Sequence, residues 1–377
     1  KRITKNSPTH CIEELKNHTT LSSKTKCQCC TWRKRQKYHA LAPSNLSKWL
    51  RHTNGYTRAW INCSISSKGA RMQERKIARS TSRTSLMLSI LIPIYNFEIA
   101  DVVRKLAKQA EDSQIAFEIL CFDDGSEEQY KTHNQSLTDS EHIVYHELIE
   151  NIGRTKIRNL LAQKAKYENL LFLDCDIRID KENFIRNYLQ QINGHVICGG
   201  VAYDTEQPEE EEFLRWKYGR KREEKSASFR NQSPYQSFTA CNMLISKKVM
   251  LAHAFNEELT QYGHEDTLLG IELKQAGITV AHIDNPIIHL GLDNCQSFIE
   301  KTEAGLNNLM LLIADGKIGR EIKLYRHYQF WEKTLFLSNI AFRMAKKISR
   351  GKLLSGNVSL FWFDLYKLSY LLTIKKG

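Results

Sequence analysis

The sequence has no apolar run long enough to cross a bilayer: its hydrophobic stretches are short or broken by charge, well under the roughly 20 residues a spanning helix needs. No apolar segment follows the basic residues near its start, so nothing there has the form of a signal peptide. Its ten cysteines fall without paired spacing, which argues against a disulfide framework. These absences lead to the expectation of a reducing, cytoplasmic setting. Disorder of the whole chain is also excluded, since 41% of the 377 residues are hydrophobic and 10% aromatic, enough to bury one large or two ordinary cores.

The formal charge of +13 is local. Residues 1–86 hold 19 Lys and Arg against 3 Asp and Glu, whereas the remainder hold 36 against 39, a balance of −3. The surplus therefore belongs to the leader and gives no reason to expect nucleic acid on the folded part. Polar composition without periodicity makes residues 1–85 read as a solvated tail. Cys27, Cys29 and Cys30 with His39 hint at zinc, but C-x-C-C lacks the C-x₂-C spacing and downstream pair of a zinc knuckle. Met87 opens the first patterned segment, and the native polypeptide is expected to begin there, with the leader an upstream extension of the reading frame. Peptides from residues 1–86 in mass spectra of the native protein would exclude this.

The rest of the chain is organised around residues 170–177, LLFLDCDI. An apolar run stopping in two carboxylates one residue apart reads as a buried strand delivering Asp174 and Asp176 to its carboxyl end, where open α/β sheets place ligands. Two acids there suit a hard cation with positions left for phosphate oxygens. Taken alone, D-x-D is also what an ordinary polar strand end looks like.

Its neighbours add to it. Residues 86–94, LMLSILIPI, read as a strand buried on both faces, ended by Pro93, Tyr95 and Asn96, and a helix follows over about 100–109. Residues 117–122 form a second strand ending in Asp123-Asp124-Gly125-Ser126, with Gly125 making the turn. A third strand is expected at 143–147, then a helix to about 166 that buries Ile157, Leu160, Leu161 and Ala165 and places Arg154 and Arg158 on another face. Asp180 is the expected N-cap of a helix burying Phe184, Tyr188, Leu189 and Ile192. Strands alternating with helices imply a mostly parallel sheet covered on both faces.

Beyond residue 194 the pattern changes. Strands are expected over 195–203, where Gly199-Gly200 permits close backbone approach, and over 238–246, with short strands at 279–282 and 287–290. Residues 208–229 form a charged loop-helix long enough for a lid, whose basic part, 215–225, has no role derivable from sequence. Residues 262–266 open a helix that Gly277 ends. From 297 onward the chain reads helical, and residues 353–374 suit either a membrane interface or a helix docked on the rest.

Several acids and two arginines thus converge on one sheet edge. A diphosphate needs the positive charge that Arg154, Arg158 and a cation on Asp176 can supply, and a base and ribose need acceptors such as Asp124 and Asp174. This describes a nucleotide-diphosphate pocket.

Here the chain resembles the family 2 glycosyltransferases of the GT-A fold. PIYN at 93–96, FDDGS at 122–126, NIGRTKIRN at 151–159, LDCD at 173–176 and GHEDTLLGIELKQAG at 263–277 occur in that family's order and approximate spacing, over about residues 87–290. The resemblance implies an α/β fold with a mostly parallel nucleotide-binding sheet, a smaller acceptor-side mixed sheet and a helical C-terminus. The chain then divides into a leader (1–86), a nucleotide-binding half (87–193), an acceptor-binding half (194–296) and a helical region (297–377), for which peripheral contact at the inner face of a membrane and docking on the rest are both open.

Residue by residue, the resemblance implies that Pro93 and Tyr95 wall the base pocket and that Asp124 accepts from the uracil N3–H of a UDP-sugar, with Asp123 in support. Arg154 or Arg158 would reach base or phosphate, Asp174 the ribose, and Asp176 with His289 a Mn²⁺ or Mg²⁺ ion. Asp266 would be the general base for an acceptor hydroxyl and Glu265 an acceptor contact, giving inversion. Both acids also favour the dipole of the helix they begin. The acceptor would be a glycan or glycolipid in polysaccharide biosynthesis. Cys175 departs from the small residue often found between the two acids, and its side chain is expected to point away from the metal. A QxxRW run and multiple transmembrane helices are missing, so a single addition is expected rather than processive synthesis. A sugar-nucleotide nucleotidyltransferase would want a Gly-rich basic loop after the first strand, which PIYNFEIAD is not. A nucleic-acid-binding or non-catalytic carbohydrate-binding protein is the remaining alternative, the former resting on the leader alone.

Overall fold

Alternation along the first strand decides the layering. In the computed structural model, which describes residues 86–374 apart from 140, 193–195, 260, 335–338 and 357, that strand sends Leu88, Ile90, Ile92 and Ile94 to one face and Leu91 to the other. The expectations for the leader and its cysteines lie outside the described residues. The chain runs β1 (Met87–Ile94), α1 (Ala100–Asp112), β2 (Ala116–Asp123), α2 (Glu128–Asn134), β3 (Ile143–Glu147), α3 (Arg154–Lys164), β4 (Asn169–Leu173), β5 (Ile177–Arg178), α4 (Phe184–Leu189), β6 (Val196–Cys198) and β7 (Val201–Ala202). It continues through α5 (Phe213–Tyr218), α6 (Ala227–Arg230), β8 (Asn242–Ser246), α7 (Lys247–Ala252), α8 (Glu265–Gln275), β9 (Val280–His282) and β10 (Ile287–His289). It closes with helices α9 (Cys295–Ala314), α10 (Lys323–Thr334), α11 (Asn339–Leu354) and α12 (Leu360–Thr373).

The main sheet has the order β3-β2-β1-β4-β8-β6-β9. Its first four strands are parallel, while β8 runs against both β4 and β6. One face packs on Val103 and Leu106 of α1 and Phe184 and Tyr188 of α4; the other packs on Ile157 and Leu161 of α3 and Leu269 and Leu273 of α8. A smaller mixed sheet, β5-β10-β7, lies beyond the strand ends. The expected mostly parallel sheet, mixed second sheet and helical C-terminus are all present.

Several local expectations need correction. The strand in 170–177 stops at Leu173, and Ile177–Arg178 crosses to the second sheet. The run at 195–203 breaks into β6 and β7, because Gly199 passes so near Tyr188 and Asn242 that a β-carbon would lie 2.3 Å from the tyrosine oxygen. Of residues 238–246, only β8 is extended. Asp180 does not cap α4: its carboxylate accepts from Arg178 at 2.7 Å, an ion-paired hydrogen bond stronger than one to a neutral backbone N–H.

Residues 353–374 dock on the rest of the protein. Phe363 and Tyr366 of α12 are buried with Leu214 of α5, Ile299 of α9 and Leu353 of α11. The basic segment gains a role here, since Arg222 donates to Asp364 at 2.7 Å and Lys217 to the Val358 carbonyl at 2.8 Å. Among the described residues no helix is long and apolar enough to cross a membrane.

Candidate functional site

Because β1, β2 and β4 are parallel and in register, Ile94 sits opposite Asp123 and all three strands deliver their following loops to one edge. Asn96, held at φ +50°, donates its N–H to the Ser126 hydroxyl at 2.8 Å and so ties the first loop to the second. Asp123 is fully buried, accepts from Ser126 N at 2.7 Å and from the Tyr145 hydroxyl at 3.4 Å, and does not border the cavity. Its place is under the turn. Asp124 does border it, and accepts from Ile152 N at 2.7 Å and Gly153 N at 3.1 Å. Burial pushes the Asp124 carboxyl up while these backbone donors pull it down.

Gly125, at φ +74°, makes this clamp possible, for a β-carbon there would lie 2.8 Å from Asn151 N. Gly125→Ala is expected to cost about 1–3 kcal/mol of stability, read by urea denaturation, through strain and collision with backbone.

The clamped loop starts α3 and aims two arginines at Asp174. Arg158 donates to one oxygen at 2.5 Å and Arg154 to the other at 3.3 Å. Arg154 also reaches Glu265 at 3.3 Å, and Arg158 lies 3.9 Å from both Glu265 and Asp266. Burial favours a neutral Asp174, but Arg158 and Arg154 outweigh it and hold the carboxyl below its usual range. Arg154 is 40% exposed and borders the cavity beside Asp124, whereas Arg158 is 2% exposed and borders only the adjoining one beside Asp266.

Asp176 leaves the same loop toward β10. Antiparallel pairing of His289 with Ile177 brings the imidazole beside it, with Nε2 3.5 Å from Asp176 Oδ2. Burial lowers the His289 pKa, keeping the ring neutral, and burial raises that of Asp176. Nδ1 of His289 is buried without a partner. Gly291 is needed alongside, since a β-carbon there would fall 2.2 Å from Asp176 Oδ2. A neutral imidazole and a carboxylate lacking a cation suit a divalent metal as two of its ligands. Among the described residues no three His, Cys, Asp or Glu side chains converge as a complete cage. Cys175, between the acids, packs against the core cluster that includes Ile92 and Ile94 and also borders the cavity.

Asp266 reaches the site from the second half. Gly263 at φ +104° and His264 at φ +69° turn the chain sharply into α8, so that Glu265 and Asp266 stand in its first turn. Asp266 Oδ2 accepts from the Thr239 hydroxyl at 3.1 Å and Ala240 N at 3.0 Å, while Oδ1 is buried without a hydrogen bond. Burial raises the Asp266 pKa, and Arg158 opposes the rise without cancelling it. Glu265 accepts from Gly263 N at 3.0 Å in addition to Arg154.

Two adjoining cavities result. The first, about 370 Å³, is bordered by Pro93, Tyr95, Asp124, Arg154, Asp174 and Asp176. The second, about 520 Å³, is bordered by Asp266, His289, Tyr203, Arg215 and Thr239. Arg154, Asp174, Tyr262 and Glu265 border both. Sequence reasoning missed Tyr262 and Lys301, which wall the first cavity, and Arg215, which pairs with Glu223 at 3.1 Å. Only Tyr262, next to the GHED run, carried a signal.

Residues 89–251 match the model for the family described as glycosyl transferase family 2. The uncharacterized glycosyltransferase YfnE of Bacillus subtilis is 23% identical over 239 residues, 51% of this chain and 61% of that protein. The teichoic acid poly(glycerol phosphate) polymerase of Staphylococcus epidermidis is 26% identical over 185 residues, 46% of this chain and 24% of that one. The chain thus spans less than two thirds of the first relative and about a quarter of the second. Among solved structures, the mannosyltransferase of Pyrobaculum calidifontis in complex with GDP-Man and Mn²⁺ superposes with a TM-score of 0.48 at 14% identity, covering 83% of this chain and 95% of that one.

Proposed function

We propose, for a chain whose residues 89–251 belong to glycosyl transferase family 2, that it moves a sugar from a nucleotide-diphosphate donor, UDP-linked, to a hydroxyl of a glycan or lipid-linked glycan, with inversion. The proposal rests on the shared wall: carboxylates and a guanidinium suited to a nucleotide diphosphate line one cavity, and an acid with an unpartnered oxygen lines the next. Residues 87–193 serve the donor and 194–296 the acceptor, in a cytoplasmic setting and in the assembly of a polysaccharide precursor.

Pro93 and Tyr95 flank the base, and Asp124 keeps a lone pair on each oxygen beyond the backbone N–H it accepts, able to receive the uracil N3–H. Asp174, held charged by its arginines, takes ribose hydroxyls, and Arg154 meets the diphosphate. Asp176 and His289 would hold a Mn²⁺ or Mg²⁺ ion. Bound there, the ion supplies charge neutralisation for the departing diphosphate. Glu265 orients the acceptor. Asp266 Oδ1 takes the proton of its hydroxyl as the new bond to the anomeric carbon forms and the bond from that carbon to the phosphate oxygen breaks, which inverts the centre.

The test is a panel of nucleotide sugars hydrolysed in Mn²⁺, alongside calorimetric UDP binding. Asp176→Ala is expected to weaken Mn²⁺-dependent UDP binding roughly tenfold and to change nothing in EDTA. Turnover that ignores the metal, or unaltered binding in Asp176→Ala, would overturn the proposed site.

A further inference from the structure

Helix α11 shows solvent a regular row of large apolar side chains. Ile340, Met344 and Ile348, spaced by four, are 75%, 59% and 49% exposed and share one face. Exposed large apolar residues repeated along one face are not the pattern of an ordinary solvated helix. Leu354, at the end of α11, and Phe361, at the start of α12, are exposed as well.

Charge identifies what covers this face. The helix carries five Lys and Arg and no Asp or Glu. Two of the five point inward: the Lys346 ammonium lies 4.2 Å from the centre of the Tyr370 ring, and Arg350 donates to Gln296 at 3.1 Å. The other three are exposed: Arg343 and Lys347 run beside the apolar row, and Lys352, four residues beyond Ile348, stands at its end. Long stems that can lie along apolar surface with their charge held out are the arrangement of a helix in the plane of a bilayer interface.

We propose that the outer face of α11 seats the protein on an anionic lipid surface, with Ile340, Met344 and Ile348 entering the headgroup boundary and Arg343, Lys347 and Lys352 meeting lipid phosphates. The helix rests on α12, itself docked on α5 and α9, so the apolar row projects from a supported element. The inference does not depend on the proposed transfer reaction.

Co-sedimentation of the full chain with phosphatidylcholine vesicles, with and without phosphatidylglycerol, tests it. Binding should favour the anionic vesicles at least tenfold, given about fivefold for each basic residue near such a surface, and should weaken with salt. Met344→Glu with Ile348→Glu is expected to lower binding at least tenfold while leaving the unfolding transition and donor hydrolysis unchanged, as both residues are exposed and remote from the site. Arg343→Glu with Lys347→Glu should remove the preference for anionic lipid. Equal binding to both vesicles, or full binding by the Met344→Glu, Ile348→Glu protein, overturns the proposal. So does self-association of the unaltered chain that this variant loses without any vesicle binding, which would assign the face to a second copy.

Discussion

Asp266→Asn is expected to slow glycosyl transfer by about 10²–10⁴-fold, the usual contribution of a positioned general base, with UDP affinity unchanged. The amide keeps the shape of the carboxylate, and its oxygen can still accept from Thr239 and Ala240, so α8 should enter the site undisturbed. What disappears is an acceptor for the substrate proton, now at the buried Oδ1 with no hydrogen bond of its own. Since burial raises the pKa of this group, the acid limb of kcat/KM in the unaltered protein should lie above the ordinary carboxylate range, and the base should be lost as pH falls through it. Arg158 holds that pKa down, so weakening Arg158 should move the limb further up. A pH profile on a saturating donor, measured for both proteins, checks the limb and the rate together. An Asp266→Asn protein within a few fold of the original would remove Asp266 from the chemistry.

The second large effect concerns stability. Arg158→Met is expected to cost about 3–5 kcal/mol, because removing one partner of a buried ion pair strands the other's charge. Arg158 is 2% exposed, donates to Asp174 at 2.5 Å and stands 3.9 Å from Glu265 and Asp266. Three carboxylates would be left to Arg154, which is more exposed and less able to hold them. Adding Asp174→Asn should return part of the loss, as the stranded charge goes with it. Urea denaturation of the single and double variants reads both numbers. A single variant within about 1 kcal/mol of the original, the size of an exposed ion pair, would mean that this charge is not shielded from water as described.

The edge proposed for the donor was legible in sequence because each strand there is a short apolar run ended by a turn or acid, and parallel pairing leaves the loops on one side. Tyr95, Asp124, Asp174 and Asp176 could be placed at that edge before any coordinates. Depth could not. Arg154 and Arg158 look alike at four-residue spacing, and only the packing of α3 under the strand ends separates an exposed guanidinium from a buried one. Asp123 and Asp124 are likewise neighbours with opposite directions, one under the turn and one facing the cavity. Asp180 looked like a cap because its ion pair with Arg178 leaves no mark in local patterns, and the guanidinium's other partner, Asp204, lies 26 residues along the chain from it. Lys301 and Arg215 sit on helices whose composition is that of any solvated or packed helix, so their approach to the cavities left no trace in spacing. In residues 353–374, aromatic content alone did not distinguish bilayer from protein, and the exposed row lay one helix earlier.

The reversal of direction between β4 and β8 has its own consequence. Leu173 pairs with Asn242, and Asp174 N donates to the Cys241 carbonyl, so the strand that delivers the aspartates and the chain that braces Asp266 through Thr239 and Ala240 are stitched side by side. The distance between the Asp174–Asp176 loop and Asp266 is then settled when the sheet assembles. Under the proposed function, the loops at 203–240 are free to change with the acceptor while the separation of the two acid clusters beneath them keeps its length.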